Sequence, residues 1–267
     1  MDTTEQIHGV AAGVPFVALP PAGGTATGAL VVGWHLMEPP ASEQAMAAAV
    51  PMAGVDAWRV YLGLPLTGAR LPDGGYDEFF RLASEDAVLN VNGAVTEQAA
   101  AEFPAAVAEL RRRLSIVDGP LGVFGGSAGS AVALEVLARG ELDIAAGAVV
   151  SPVAQLTPVI GRNERVYGVT YPWTEASRAV ADRLDFVRRA GELTQPLLLV
   201  VGGEDDIAFR EPSAALRAEL GDRAELVVVD GMGHQLAEAP GIEAAPQNAD
   251  ARRVDEAFTV WFARHLG

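Results

Sequence analysis

The stretch Leu121-Gly122-Val123-Phe124-Gly125-Gly126-Ser127-Ala128-Gly129-Ser130 decides the fold. The apolar run 121–124 reads as a buried strand, and Ala131, Val132, Ala133, Leu134, Val136, Leu137 and Ala138 continue as a buried helix. Between them Gly125-x-Ser127-x-Gly129 marks a sharp strand-to-helix turn with a strained central residue. Glycines two before and two after it keep Cβ atoms out of the corner. The hydroxyl of Ser127 is thereby lifted above the sheet edge. The first amide of the helix, Ala128 N–H, points at whatever oxygen lies there, helped by the positive helix end. A pentapeptide this rich in glycine also suits a flexible loop. The strand before it, the helix after it and the partners found further along the chain decide for the turn.

Working outward, strands and helices alternate on both sides. Upstream, 14–19 is an expected edge strand, since it contains Pro15. The segment 20–28 is a loop, 29–34 a central strand, Ser42 an N-cap for a helix through 45–50, and 58–62 the next strand. The pattern loosens over 65–92, which is either a flap over a pocket or a surface excursion. A long amphipathic helix follows over 96–114. Its closing Arg111-Arg112-Arg113 suits the helix C-terminus as solvated charge rather than a binding patch. Downstream, 144–150, 197–201 and 225–229 are strands, 212–220 is a helix, and 249–266 closes the chain as an amphipathic helix. This order predicts a doubly wound, mostly parallel α/β sheet covered on both faces, with residues 1–267 as one domain.

Composition narrows the functions. Half of the 267 residues are hydrophobic, which argues against disorder, yet no apolar run approaches the roughly 20 residues of a membrane helix. The N-terminal Met1-Asp2-Thr3-Thr4-Glu5-Gln6 is polar and acidic, unlike a signal peptide, so a cytoplasmic protein is expected. There is no cysteine and no lysine. This removes thiol nucleophiles, thiolate metal sites, Schiff-base chemistry and the P-loop lysine. A net charge of −16 argues against nucleic acid and anionic membranes as partners.

A serine hydroxyl is a weak nucleophile at neutral pH and needs a base within reach, itself held by an acid. The four histidines are His8, His35, His234 and His265. His8 lies in a polar N-terminal segment and His265 near the end of the last helix. His35 precedes the turn in sequence. His234, in Gly231-Met232-Gly233-His234 after the last strand, is the candidate base. The acid comes from Gly202-Gly203-Glu204-Asp205-Asp206 at the end of strand 197–201.

With these residues in place the chain resembles the α/β-hydrolase family along most of its length: serine esterases, dienelactone hydrolases and the catalytic domains of prolyl oligopeptidases. The elbow at Ser127 and the order Ser, Asp, His carry the resemblance. The family's Gly-x-x-Asp pattern falls on Gly203-Glu204-Asp205-Asp206, which makes Asp206 the expected acid, with Asp205 behind it. Ser151-Pro152 leaves the alternative acid position of some relatives empty. The resemblance also implies an oxyanion hole from Ala128 N–H and a loop amide after strand 29–34. That amide is Leu36 N–H, or Met37 N–H by another alignment, because His35-Leu36-Met37-Glu38 departs from the family's His-Gly-Gly-Gly. Glu38 is then either a solvent-facing charge or a contact for a substrate amine. A small lid is expected over 157–174, with Tyr167, Tyr171 and Trp173 lining the acyl side of the pocket or simply anchoring a loop. The activity implied is cleavage of a small-molecule carboxylic ester, without cofactor or metal. Peptidase, amidase and thioesterase chemistry, and a ligand-binding receptor on the same scaffold, remain alternatives.

Overall fold

In the computed structural model, which describes residues 6–23 and 28–267, eight strands form one sheet in the order β1-β2-β4-β3-β5-β6-β7-β8. Most of the N-terminal segment read for targeting, and part of the loop 20–28, lie outside the described residues. The strands are β1 Ile7–Ala11, β2 Val14–Leu19, β3 Leu30–Trp34, β4 Trp58–Leu62, β5 Leu121–Gly126, β6 Ala146–Val150, β7 Leu197–Gly202 and β8 Ala224–Val229. From β4 through β8 neighbouring strands run parallel; β1 and β2 add an antiparallel end. The mostly parallel α/β sheet is the one expected, with one correction. The proline-containing strand is not the edge. Residues 7–11 pair with it and take that place, leaving β2 between β1 and β4.

Alternation along the central strands divides the core in two. Val32, Val123, Val149 and Leu199 point to one face, where Phe103 and Leu110 of α3 (Ala94–Arg113), Leu134 and Leu137 of α4 (Ala128–Arg139) and Leu216 of α7 (Ile207–Leu220) cover them. Val31, Phe124, Ala148, Leu198 and Val200 point to the other, under Met46 of α1 (Glu43–Ala49) and Phe258, Trp261 and Phe262 of α8 (Ala249–Leu266). Period-2 side chains on strands buried on both faces require such a double layer. Phe124 links the second layer, with edge-on contacts to Tyr61 at 5.3 Å and to Phe258 at 6.2 Å.

The loosely patterned 65–92 contains α2 (Gly75–Asp86), which buries no residue, and then leads through a π-helical stretch, Ala87–Gly93, into α3. Asp86 caps that stretch, accepting from Val88 N–H and Leu89 N–H. The segment 157–174 contains α5 (Leu156–Tyr167) and a short loop, then Thr174 caps α6 (Glu175–Arg183). Leu156, Val159 and Ile160 supply the buried face of α5, so this segment is mainly helix packed on the body.

Candidate active site

Three strands deliver the site from their carboxyl ends, where an open parallel sheet leaves its crevice. At the end of β5, Ser127 has φ 45° and ψ −116°, a conformation that L-residues rarely adopt and that the surrounding contacts must hold. A side chain on Gly125 would collide with the Gly129 carbonyl, and one on Gly129 with the carbonyls of Trp34 and His35. The two glycines let α4 start directly against β3 and β5. Ser127 N–H donates to the Val150 carbonyl at 3.0 Å, and the Ser127 carbonyl accepts from Ser130 N–H at 2.9 Å and from Ser130 Oγ. Both the strand and the helix therefore hold the turn.

His234 follows β8 and places Nε2 2.9 Å from Ser127 Oγ. Its Nδ1 lies 2.9 and 3.1 Å from the two carboxylate oxygens of Asp205. Phe209 packs across the ring at 4.1 Å between centroids, and Ser151 Oγ donates to the His234 carbonyl at 3.1 Å. Serine, imidazole and carboxylate thus form one hydrogen-bonded line.

The carboxylate in that line is Asp205; Asp206, the expected acid, is elsewhere. β7 extends to Gly202, where any side chain would strike the Met232 carbonyl, so the turn starts one residue earlier than the pattern at Gly203–Asp206 places it. The matching motif is Gly202-Gly203-Glu204-Asp205. Asp206 is instead the N-cap of α7, accepting from Ala208 N–H at 2.8 Å, and it pairs with Arg165 at 3.2 Å. Its backbone N–H donates to Asp205 Oδ1 at 2.7 Å, so the neighbour steadies the carboxylate that meets His234. The side chain of Asp205 is 1% exposed.

A second carboxylate reaches the same line from the loop after β3. Glu38 Oε2 accepts from Ser127 Oγ at 3.1 Å and lies 3.7 Å from His234 Nε2. Burial favours neutral His234, but the hydrogen bonds and charges of Asp205 and Glu38 outweigh it and raise its pKa to about 9. Partial desolvation opposes ionisation of Glu38, whose side chain is 40% exposed, but His234 and the Ser127 hydroxyl outweigh it and hold its pKa down at about 2. With a proton on Nε2 the ring donates to Ser127 Oγ, and Ser127 donates to Glu38.

No protein-family model matches the chain. Over 111 residues it is 32% identical to Rv2307c of Mycobacterium tuberculosis, described as an uncharacterized protein; the match spans 42% of this chain and 36% of that one. It therefore reaches only about a third of the relative's length. Among solved structures, dienelactone hydrolase from Anabaena variabilis superposes with a TM-score of 0.60 at 18% identity, over 98% of this chain and 99% of that one. TT1662 from Thermus thermophilus gives 0.60 at 19%, over 97% and 98%. Acylaminoacyl peptidase from Pyrococcus horikoshii gives 0.67 at 17%, over all of this chain and 42% of that one. The chain has the α/β-hydrolase fold.

On this α/β-hydrolase scaffold the loop after β3 departs from expectation. Leu36 N–H is not free for an oxyanion, because it donates to the Pro40 carbonyl at 3.2 Å, and its side chain is buried. Met37 is the residue that, with Ala128, borders a small cavity of about 10 Å³, closed by Val95, Val153, Leu156 and Leu184. Room for about one water remains there. None of the three lid aromatics is on its wall. Tyr167 is 70% exposed at the end of α5. Tyr171 packs edge-on against Trp173 at 4.8 Å and donates its hydroxyl to Asp86, which fastens the loop to the α2 end. His35 is fully buried: Nδ1–H donates to the Leu36 carbonyl at 2.6 Å, and Nε2 accepts Leu64 N–H at 3.1 Å. It braces the ends of β3 and β4.

Of the neighbours of His234, the sequence offers Asp205 only as the second choice of acid and Glu38 only as a solvent-facing charge or a contact for a substrate amine, and it does not single out Phe209. Asp205 and Glu38 had visible signals, the doubled glycine and the acid after the strand; Phe209 had none beyond its place in the first turn of α7. Among the described residues no cluster of three or more His, Asp or Glu could hold a metal ion, and no helix is long and apolar enough to cross a membrane.

Proposed function

We propose that the chain is a serine hydrolase that cleaves carboxylic esters through Ser127, His234 and Asp205. The observation that carries this reading is the continuous line from Ser127 Oγ through the His234 ring to the Asp205 carboxylate, with no contact longer than 3.1 Å. Neutral His234 accepts the Ser127 proton at Nε2 as Oγ bonds to the ester carbonyl carbon. The imidazolium then passes that proton to the departing alcohol as the C–O bond breaks. Water attacks the acyl-serine with the same base, giving the carboxylic acid and restoring Ser127. Asp205 keeps the proton on Nδ1 and balances the imidazolium charge. Ala128 N–H and Met37 N–H are assigned to the oxyanion, the first at the positive end of α4.

Turnover of p-nitrophenyl esters and labelling by a fluorophosphonate test the reading. Wild type is expected to turn over repeatedly and to be labelled, and Ser127→Ala to do neither while keeping its thermal stability. Labelling that survives the substitution would place the nucleophile elsewhere. A single slow acylation without turnover would indicate a receptor on this scaffold.

A further inference from the structure

We propose that Glu38 is a substrate-recognition residue, selecting esters that carry a protonated amine or quaternary ammonium close to the reacting carbonyl. The inference rests on the serine-hydrolase reading and names the substrate class for that same site.

The placement of Glu38 is built in. Its loop is tied to the loop that carries His234: Leu236 N–H donates to the Pro39 carbonyl at 3.1 Å, and Ala41 N–H to the Gly241 carbonyl at 2.7 Å. Ser42 Oγ donates to the Ile242 carbonyl at 2.5 Å. Between these anchors Glu38 has one carboxylate oxygen on the nucleophile, while its side chain stays 40% exposed. It touches the reacting atom and is open to solvent at the same time.

Its charge has no permanent partner. Among the described residues the only cationic group within ion-pair distance of Glu38 is His234, which must give up its proton before it can act as a base. The other acids nearby are occupied. Asp205 is taken by His234 Nδ1 and Asp206 N–H, and Asp206 by Arg165 at 3.2 Å and Arg162 at 3.9 Å. Attack on a neutral ester builds an alkoxide beside a fixed negative charge, and the two repel in a site of low dielectric. A cation on the substrate meets Glu38 and turns that repulsion into attraction, whereas a substrate carboxylate adds to it.

The same contact affects the base. The groups facing His234 are Asp205 from the β7–α7 turn, Glu38 from the β3–α1 loop, Ser127 from the elbow and the uncharged ring of Phe209 from α7; Arg162 of α5 lies over that ring, 5.9 Å from its centroid. Glu38 is one of the two carboxylates that hold His234 protonated. A substrate cation that neutralises Glu38 lowers the proton affinity of His234 in the complex, so binding also frees the base.

Two pairs of substrates, matched in size and differing in charge, test this: glycine and propionate esters of one alcohol, and acetylcholine with 3,3-dimethylbutyl acetate. kcat/KM is measured for wild type, Glu38→Gln and Glu38→Asp, with fluorophosphonate labelling to show that each variant keeps a folded elbow. Comparing variants cancels the intrinsic reactivity of each ester. In at least one pair the cationic-to-neutral ratio is expected to be about tenfold or more higher in wild type than in Glu38→Gln, with Glu38→Asp between them. For the neutral ester, the acid limb of kcat is expected to move to lower pH in Glu38→Gln. Equal ratios in wild type and Glu38→Gln for both pairs, with neutral esters still hydrolysed, would overturn the role of Glu38 and leave the hydrolase reading intact. If wild type neither hydrolyses an ester nor takes the label, the hydrolase reading fails and this inference falls with it.

Discussion

His35 and His234 are two imidazoles at the carboxyl ends of parallel strands, β3 and β8, the first fully buried and the second 12% exposed, and their pKa values move in opposite directions. His35 is surrounded by backbone: it donates to one carbonyl and accepts from one amide, with no carboxylate beside it. Burial pushes its pKa down to about 4 against the small opposing effect of the Leu36 carbonyl. His234 also loses solvation, but two carboxylates converge on it and raise it to about 9. Depth alone therefore does not make a histidine a base. A neutral histidine held by backbone is a brace, and one poised between carboxylates can move a proton.

The change expected to have the largest effect removes what makes His234 unlike His35. Asp205→Asn keeps the shape of the side chain but offers His234 Nδ1 an amide, which favours the wrong tautomer and leaves the imidazolium unbalanced. In a well-studied serine protease the corresponding change lowers kcat about 10⁴-fold. A loss of that order is expected here, about 5.5 kcal/mol in barrier. Steady-state kinetics on a p-nitrophenyl ester measures it, and a loss under tenfold would mean that His234 does not depend on Asp205.

A smaller effect tests the other histidine through stability. The folded pKa of His35 lies below the value of about 6.5 in the unfolded chain. Its stabilising contribution is therefore complete above pH 6.5 and is lost as pH falls toward 4, because the unfolded chain takes up the proton first. At pH 5 the loss is about 2 kcal/mol. His234 has the opposite sign: its contribution is present below pH 6.5 and is lost as pH rises through about 9. Urea unfolding of wild type and His35→Gln at pH 7.5 and pH 5 isolates the first effect, since His234 is common to both. The stability gap between them is expected to shrink by about 2 kcal/mol at the lower pH. A gap that does not change would mean that His35 is protonated in the fold.

What could be read in advance follows the same division between local and non-local causes. The turn at Ser127 is local, with apolar runs on either side and glycines at fixed offsets, so its backbone is legible in ten residues. His234 was found by elimination among four histidines, which works because the chain has so few. The acid was misplaced by one residue. Gly202 and Gly203 both satisfy the first position of the pattern, and only packing of Gly202 against the Met232 carbonyl chooses between them. Leu36 failed as an oxyanion donor because its amide closes a turn onto Pro40, a contact invisible in a string of residue types. β1 is not legible in the sequence because its outer position leaves Ile7, His8 and Val10 exposed, so it has no buried pattern to read. The lid expected over 157–174 comes from the family resemblance alone, and residue types there do not reveal that Leu156, Val159 and Ile160 form the buried face of a helix.

The smallest expected effect sharpens the comparison inside the acidic turn itself. Asp206 is adjacent to Asp205, carries the same charge and also fits the family pattern, but its oxygens are used on α7 Ala208 N–H and on Arg165. It donates to Asp205 only through its backbone, which a substitution leaves in place. Asp206→Ala should remove an N-cap and cost about 1 kcal/mol of stability. The partly exposed ion pair with Arg165 adds little to that. Activity is expected to stay within about tenfold of wild type, because the charge lost is already paired with arginine and is not hydrogen-bonded to His234. Urea unfolding and ester kinetics on one preparation read both quantities. A kcat loss near that of Asp205→Asn would mean that the cap of α7, and not only the carboxylate behind it, positions His234.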